Sequence, residues 1–285
     1  MSVNLTANDV ASFANDAKDA YQGAGILRPH VRVTSGVTGS THRFHKVGKG
    51  MAQPRIPQTE VIPMGIGHSN ATATLTDWHA AEYTDLFDEQ KVSYSERSFL
   101  AATTGRAITR REDQMILDGL AASGTSNTVA KTIGGSNALN LAKIRKAKRL
   151  LDDLAVPMSD RTIVVSPHGV EQMLGDNTNT SRDFSQLQRL ADGEMGNTPW
   201  VGFHWIVMET RVATEGGLPV SGTDRTVYAF HKPAIGLANG MDLDIEVNYI
   251  PQFTSTLTNA KYIGGATAID AEGICEITYD EAIVV

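Results

Sequence analysis

The longest regular pattern of apolar and polar positions lies between Tyr94 and Leu120, where no proline interrupts the chain. Apolar residues fall within one stripe at a period of 3.6 residues, at Leu100, Ala107, Ile108 and Met115. This spacing predicts a single helix, on the order of 40 Å long at about 1.5 Å per residue. Polar residues interrupt the stripe, which favours a helix lying across a sheet over a helix in the core of a bundle.

Before this helix, the chain from Val31 to Met64 is rich in Gly, Thr, Pro and basic residues. Only short pieces are β-like, at Val31 to Thr34 and Arg43 to Val47. The run from Gly48 to Gln58 has two glycines, two prolines and no apolar periodicity. Because so long an irregular stretch is unusual inside a compact domain, it predicts a projecting hairpin or binding loop. Alternation from Ala71 to Thr76 predicts a half-buried strand by which the chain returns.

After the long helix, the pattern predicts a compact unit of helix, strand and helix. Asn137 is the expected N-cap of a helix from Ala138 to Ala155. A buried strand, Arg161 to Val165, follows it. Ser166 is then placed to cap a second helix, which ends near Gly175.

The remaining segments are assigned from shorter patterns. Residues 1–20 predict a short helix or a loosely held arm, and residues 176–192 and 212–224 predict polar loops. Predicted strands are Trp200 to Met208, Thr226 to His231, Ile245 to Ile250 and Ile274 to Tyr279. The pairs Gly264-Gly265 and Glu272-Gly273 are predicted to mark turns.

Composition places the chain among folded, water-soluble proteins. The 285 residues are 41% hydrophobic and 20% charged, and no apolar run approaches the length of a membrane span. The single cysteine, Cys275, excludes an internal disulfide framework and fits a reducing compartment. We expect it to pack as a small buried side chain in the last strand.

Charge is distributed unevenly along the first third of the chain. The net charge of −7 argues against a general nucleic-acid binder. Between Ala20 and Thr59 there is no acidic residue, and between Ile56 and Gln90 there is no Lys or Arg. A basic segment followed by an acidic one is able to pair within one molecule or between copies of it.

Candidate catalytic chemistry is absent from the sequence. It contains no GxSxG elbow, no GxxxxGK[ST] loop, no GxGxxG after a strand and no HExxH. His42 and His45 are three residues apart, but the surrounding residues are β-like, so a shared metal is disfavoured. We therefore expect no enzyme activity, no cofactor, no metal site and no catalytic residue.

The order of these parts resembles the tailed-bacteriophage major capsid protein family, whose fold is the Hong Kong 97 type. The passage from Leu141 to Leu174, with its helix, VP, strand, VVSP and helix, and the ending from Lys261 to Glu281 are also similar to that family. The resemblance implies an α+β fold with these parts: an N-terminal arm, 1–40; an extended β-hairpin loop, 41–76; a peripheral domain, 77–136, with a spine helix, 94–120; an axial α/β domain, 137–244; and peripheral return strands, 245–285.

This resemblance implies a structural function. Copies of the chain are expected to form hexamers and pentamers of an icosahedral virus head that encloses double-stranded DNA without sequence-specific binding. Separate scaffolding, portal and decoration proteins are candidate partners, a membrane is not, and assembly is expected in the host cytoplasm. Encapsulin nanocompartment shells share the fold and remain an alternative. An α/β enzyme with an unrecognised site and a monomeric module that binds anionic ligands remain further alternatives.

The charge pattern gives a hypothesis for contacts between copies. Cations of the extended loop, Arg43, Lys46, Lys49 and Arg55, are predicted to lie over acids of a neighbouring subunit, Asp85, Asp88 and Glu89. Exposed ion pairs are individually weak, but their repetition over a shell would make assembly dependent on salt concentration.

Overall fold

The computed structural model describes residues 23–89, 96–175 and 199–283. Its helices are α1 (Leu86–Glu89), α2 (Glu96–Ala121), α3 (Leu141–Asp153) and α4 (Pro167–Gly175). Short 3-10 turns occupy Arg28–His30, Ala213–Glu215, Lys232–Ala234, Pro251–Phe253 and Ala271–Gly273. The predicted N-terminal helix and the predicted loop 176–192 lie outside the described residues.

The strands of the described ranges are β1 (Arg32–Thr34), β2 (Thr41–Val47), β3 (His68–Thr74), β4 (Thr76–Asp85), β5 (Thr128–Val129), β6 (Arg161–Val165), β7 (His204–Val207), β8 (Val220–Ser221), β9 (Asp224–His231), β10 (Ile235–Ile250), β11 (Ser255–Ala268) and β12 (Ile274–Asp280). The first sheet has the order β1-β10-β11-β4, and the second has the order β5-β12-β9-β6-β7 with β8 beside β9. Strands β2 and β3 form a separate antiparallel hairpin. Because β10 and β11 lie between β9 and β12 in the chain, the two larger sheets are tied together.

Helix α2 lies across the first sheet, as the imperfect apolar stripe predicts. Ile108 packs there with Ala260 and Tyr262 of β11. The polar Arg111 is accommodated because its guanidinium lies 4.6 Å from the ring centroid of Trp78 on β4. The predicted long helix is therefore confirmed over its described residues.

Helices α3 and α4 pack on the second sheet and form the main core with it. The predicted cap of α4 is confirmed, since the Ser166 hydroxyl accepts a hydrogen bond from the Gly169 N–H at 3.2 Å. The predicted cap of α3 is wrong. Asn140, and not Asn137, accepts from the Lys143 N–H at 3.0 Å, while the carbonyl of Asn137 accepts from Asp280 at the end of β12.

The predicted turn at Gly264 and Gly265 is also wrong, because both glycines lie inside β11. A Cβ at Gly265 would lie 2.0 Å from the carbonyl oxygen of Thr74, so glycine here permits close approach of a neighbouring strand. The predicted strand from Trp200 is shorter than expected. Trp200 and Phe203 form an isolated bridge around Gly202, which has a φ of +82°, before β7 begins.

The predicted division of the chain at residues 244 and 245 falls inside one strand. Strand β10 runs from Ile235 through to Ile250 without leaving the first sheet. Strand β12, expected among the peripheral return strands, pairs with β5 and β9 in the second sheet. The two sheets therefore alternate along the chain and do not correspond to consecutive segments.

Candidate assembly surfaces

The first residues that the structure describes, up to Leu27, are held against α2 by hydrogen bonds from their backbone. The N–H of Gly25 donates to the Thr109 hydroxyl at 3.0 Å. The N–H groups of Ile26 and Leu27 both donate to the Asp113 carboxylate, at 3.1 Å and 2.9 Å. Backbone donors that would otherwise be buried without partners are thus satisfied by one side chain of the helix.

Asp113 also connects this segment to the loop after β7. The Arg211 guanidinium lies 3.5 Å from the Asp113 carboxylate and donates to the carbonyl oxygen of Ala24 at 3.1 Å. Burial raises the pKa of Asp113 to about 6, although the two backbone donors and Arg211 oppose that rise. We call the contacts of Asp113 with residues 24–27 and Arg211 the Asp113 junction.

A neighbouring set of charges extends the junction to the first sheet. Arg28 forms ion pairs with Glu112 at 3.0 Å and with Asp242 at 2.7 Å. The Tyr262 hydroxyl donates to the same Glu112 carboxylate at 3.2 Å. Burial raises the pKa of Glu112, and the positive charge of Arg28 opposes this rise. The roles of Glu112 and Asp113 were missed in the sequence analysis. Their partners are distant in the chain, and an acidic residue on a helix is ordinarily expected to face the solvent.

The base of the β2–β3 hairpin is held by the same chain. Lys46 pairs with Asp270, and Lys49 pairs with Glu272, each at 2.6 Å. Phe44 is buried on the underside of the hairpin with Ala73 and Ala238. The hairpin is therefore anchored to the first sheet by one buried ring and to the turn after β11 by two ion pairs.

The structure brings only part of the predicted contact set into pairs. Lys46 and Lys49 have partners within their own chain, whereas Arg43 and Arg55 form no ion pair with any described residue. Asp85 accepts a hydrogen bond from the Phe87 N–H at 2.7 Å. The side chains of Asp88 and Glu89 lie outside the described part of the chain. No ion pair joins the loop cations to Asp85 within one copy.

The far part of the hairpin, residues 48–67, which we call the loop tip, is exposed throughout. A turn closed by a hydrogen bond from the Thr59 N–H to the Ile56 carbonyl lies within it. Its exposed apolar side chains are Met51, Ile56, Val61, Ile62, Met64 and Ile66. Met51 is 85% exposed and Val61 is 88% exposed. So many apolar side chains on one projecting loop indicate a surface that another molecule covers.

A second exposed apolar set lies at the far end of the first sheet, and sequence reasoning missed it. It consists of Tyr83, Phe87, Leu243, Ile245, Val247, Tyr249 and Phe253. The residues of β10 in this set alternate with acids, so in the sequence they have the pattern of an ordinary half-buried strand. Strand β1 pairs only with the first part of β10, so the second part of β10 is also an exposed edge of the sheet.

Within the described ranges, no group of three or more His, Cys, Asp and Glu side chains is placed to hold a metal ion. None of the helices described there is long and apolar enough to cross a membrane. Cys275 is buried, and burial raises the pKa of its thiol to about 12, as expected of a packing residue.

Comparison with known proteins agrees with this arrangement. A family model described as "Phage capsid protein" matches residues 5–281. The chain is similar to the capsid structure of Cyanophage P-SCSP1u, with a TM-score of 0.74 and 20% identity, covering 94% of this chain and 91% of that one. For Mycobacterium phage Che8 the TM-score is 0.71 at 15% identity, with 92% and 94% covered. For the head of Helicobacter pylori bacteriophage KHP40 it is 0.69 at 10% identity, with 93% of each chain covered. A search of curated proteins found no match.

The fold is the Hong Kong 97 type, as the order of parts in the sequence predicts. Because the family model spans nearly the whole sequence, the chain belongs to the phage capsid protein family. Members of this family are structural components of the virion, and the chain is a capsid protein and not an enzyme. The enzyme and nanocompartment alternatives are thereby set aside.

Proposed function

We propose that copies of this chain assemble as hexamers and pentamers into an icosahedral head that encloses a double-stranded DNA genome. The observation that supports this proposal is the loop tip, which is anchored at its base and exposes apolar side chains along its length. A monomeric protein rarely leaves such a surface in water. Closed symmetric assembly gives every copy the same covered surface.

Within this proposal, the parts of the chain keep the division expected from the family. Residues 1–40 form the arm and 41–76 the extended loop, followed by the peripheral part 77–136 and the axial part 137–244, with 245–285 returning to the peripheral part. The continuity of β10 across residues 244 and 245 favours moving that boundary to the start of the strand at Ile235. Strand β12, at the end of the peripheral part, crosses to the second sheet and pairs there between β5 and β9.

The contact between copies is proposed to involve both charge and apolar surface. Arg43, Lys46, Lys49 and Arg55 face Asp85, Asp88 and Glu89 of a neighbouring subunit. Arg43 and Arg55 carry most of this attraction, because Lys46 and Lys49 already have acidic partners in their own chain. The exposed aromatic side chains beside Asp85 form a second apolar surface that a neighbouring copy covers.

Electron microscopy of the protein tests the assembly directly. The chain is expressed alone and with a candidate scaffolding protein from the same phage, then sedimented gently and imaged. Closed shells with five-fold and six-fold clusters of subunits are expected, assembled in the cytoplasm of the expressing cell. Persistence of small soluble species under both conditions would contradict the proposal.

A pair of double variants separates the two kinds of loop cation. Arg43→Glu with Arg55→Glu is expected to reduce particle yield and weaken its salt dependence while leaving subunit folding unchanged. Lys46→Glu with Lys49→Glu is expected to loosen the hairpin base as well, measured as faster proteolysis of the hairpin in the free subunit. Unchanged yield and salt dependence for the arginine pair would show that these charges do not contribute to assembly.

A further inference from the structure

A basic groove lies beside β1, at the place where the N-terminal segment enters the first sheet. Its volume is about 650 Å³, and it opens to solvent. The residues that line it include Arg28, Pro29, Arg32, Val33, Lys232 and Pro233. The walls therefore combine guanidinium and ammonium groups with proline rings and a valine side chain. A groove of this size holds several side chains of a partner.

Part of the positive charge in the groove is uncompensated. Arg28 is neutralised by Glu112 and Asp242. Arg32 and Lys232 form no ion pair with any described residue, and the Arg32 guanidinium lies 5.7 Å from the centroid of the Phe44 ring. The groove therefore suits a partner that presents one carboxylate between apolar side chains.

The loop tip contains one segment with this chemistry. Glu60 is the only acidic residue between Asp19 and Asp77, and it is followed by Val61 and Ile62. The segment comes directly after the turn that ends at Thr59, so it lies at the outer end of the hairpin. All of its side chains are exposed in a single copy.

A single copy does not bring this segment into its own groove. Every residue from Val47 to Asn70 is exposed, so the loop tip does not fill the groove of its own chain. The lysine pairs at the hairpin base hold the loop where it projects. A second copy supplies the same groove without any change in either fold.

We propose that Glu60, Val61 and Ile62 of one copy occupy the basic groove of a second copy. In this contact Glu60 lies between Arg32 and Lys232, and the two apolar side chains cover Val33 and the neighbouring prolines. The inference rests on the proposed assembly of the chain, and it names the surface that receives the outer end of the loop.

Disulfide mapping tests the contact, because the native Cys275 is buried and does not compete. Val33→Cys and Val61→Cys are introduced together, and purified particles are oxidised and run on a non-reducing gel. A ladder of covalently linked multimers is expected, since a disulfide forms only when the two Cα atoms lie within about 7 Å. Either single variant alone should give no ladder.

A matched control uses Val61→Cys with Val212→Cys, because Val212 is exposed but lies in the loop after β7. This pair should remain monomeric on the gel. An absent ladder for the Val33 and Val61 pair, an equal ladder for the control, or a link within one chain would each overturn the assignment.

Charge exchange provides an independent test that does not depend on disulfide geometry. Glu60→Lys and Arg32→Glu are each expected to lower particle yield about tenfold, because like charges then face each other. The double variant should recover a yield within about threefold of the wild type. Glu60→Lys combined with Arg43→Glu, which lies outside the groove, should not recover. Equal recovery in both double variants would contradict specific pairing.

These outcomes separate the two levels of the proposal. If the wild-type chain forms no particles with or without scaffold, the assembly itself is wrong. If wild-type particles form but the Val33 and Val61 pair does not link and the charge exchange does not restore yield, only the groove assignment is wrong.

Discussion

The Asp113 junction and the loop tip each place their residues against the usual preference of those residues for water or core. At the junction, charged and backbone groups are buried and each finds a partner within the chain. At the loop tip, apolar side chains are exposed and no described element of the chain covers them. Ordinary folding rules predict the reverse placement of both residue classes.

This difference indicates what each region is for. The junction fixes the N-terminal segment, α2 and the loop after β7 relative to one another, so a single copy has a defined shape. The loop tip is absent from the described core, and in the proposed assembly its side chains become buried where copies meet. The proposed assembly therefore assigns stability and assembly to separate residues, and the predictions below test that separation.

The largest effect on stability is expected where the hairpin meets the first sheet. Phe44→Ala should lower the free energy of unfolding by about 3–5 kcal/mol, because the ring is buried against β3 and β10 and its removal leaves a cavity. Urea unfolding of the unassembled subunit measures this change. Phe44→Leu is the control, and it should cost less than about half as much. Equal stability of the alanine variant and the wild type would show that the hairpin base is not fastened by this ring.

The next largest effect on stability is expected at Asp113, the hydrogen-bond acceptor of the Asp113 junction. Asp113→Ala should cost about 1–3 kcal/mol, because the N–H groups of Ile26 and Leu27 lose their common acceptor. Asp113→Asn keeps an oxygen at that position and should be tolerated far better. The comparison is made by urea unfolding, together with protease cleavage near residue 25. Equal losses for the two variants would assign the role to charge and not to the hydrogen bonds.

A pH dependence follows from the burial of the same carboxylate. Its pKa is about 6 in the folded chain, above the value of about 4 usual for an unfolded aspartate. Between these values the folded state binds more protons than the unfolded state, so this group makes the protein less stable as pH rises. From pH 5 to pH 7.5 the wild type should lose about 1 kcal/mol relative to Asp113→Asn. The other titrating groups cancel in this difference, and a difference that does not change with pH would contradict the assignment.

The smallest effect on subunit stability is expected at the loop tip, where the effect on assembly is large. Val61→Ser should change the free energy of unfolding by less than about 0.5 kcal/mol, as for other exposed positions. Particle yield should nevertheless fall, measured by sedimentation of matched preparations. A variant that assembles as well as the wild type would remove Val61 from the contact between copies.

The elements set by local periodicity were predictable from the sequence. The long helix, the unit of α3, β6 and α4, and the irregular projecting loop all follow from the spacing of apolar residues and from proline and glycine. The exposed character of the loop was also predictable, because no periodic face exists there to bury.

Features that depend on distant partners were not predictable. In the sequence, Lys46 has no acidic residue nearby to pair with. Its partner, Asp270, lies more than two hundred residues later and is brought beside it only by the fold. The acids of α2 read as solvent-facing because their partners Arg28 and Arg211 come from other elements. The glycine pair inside β11 has the sequence pattern of a turn. Glycine is required at position 265 because the Thr74 carbonyl approaches closely, and this contact exists only in the folded chain.

Methionine oxidation tests most directly whether the loop tip is covered between copies. Met51 and Met64 lie in the loop tip, and Met158, which is 66% exposed, lies between α3 and β6 as an internal reference. Free subunits and assembled particles are treated with hydrogen peroxide, and sulfoxide at each methionine is followed by mass spectrometry. Oxidation of Met51 and Met64 should slow relative to Met158 when the subunits assemble. Oxidation at the same relative rates in particles and in free subunits would contradict the account.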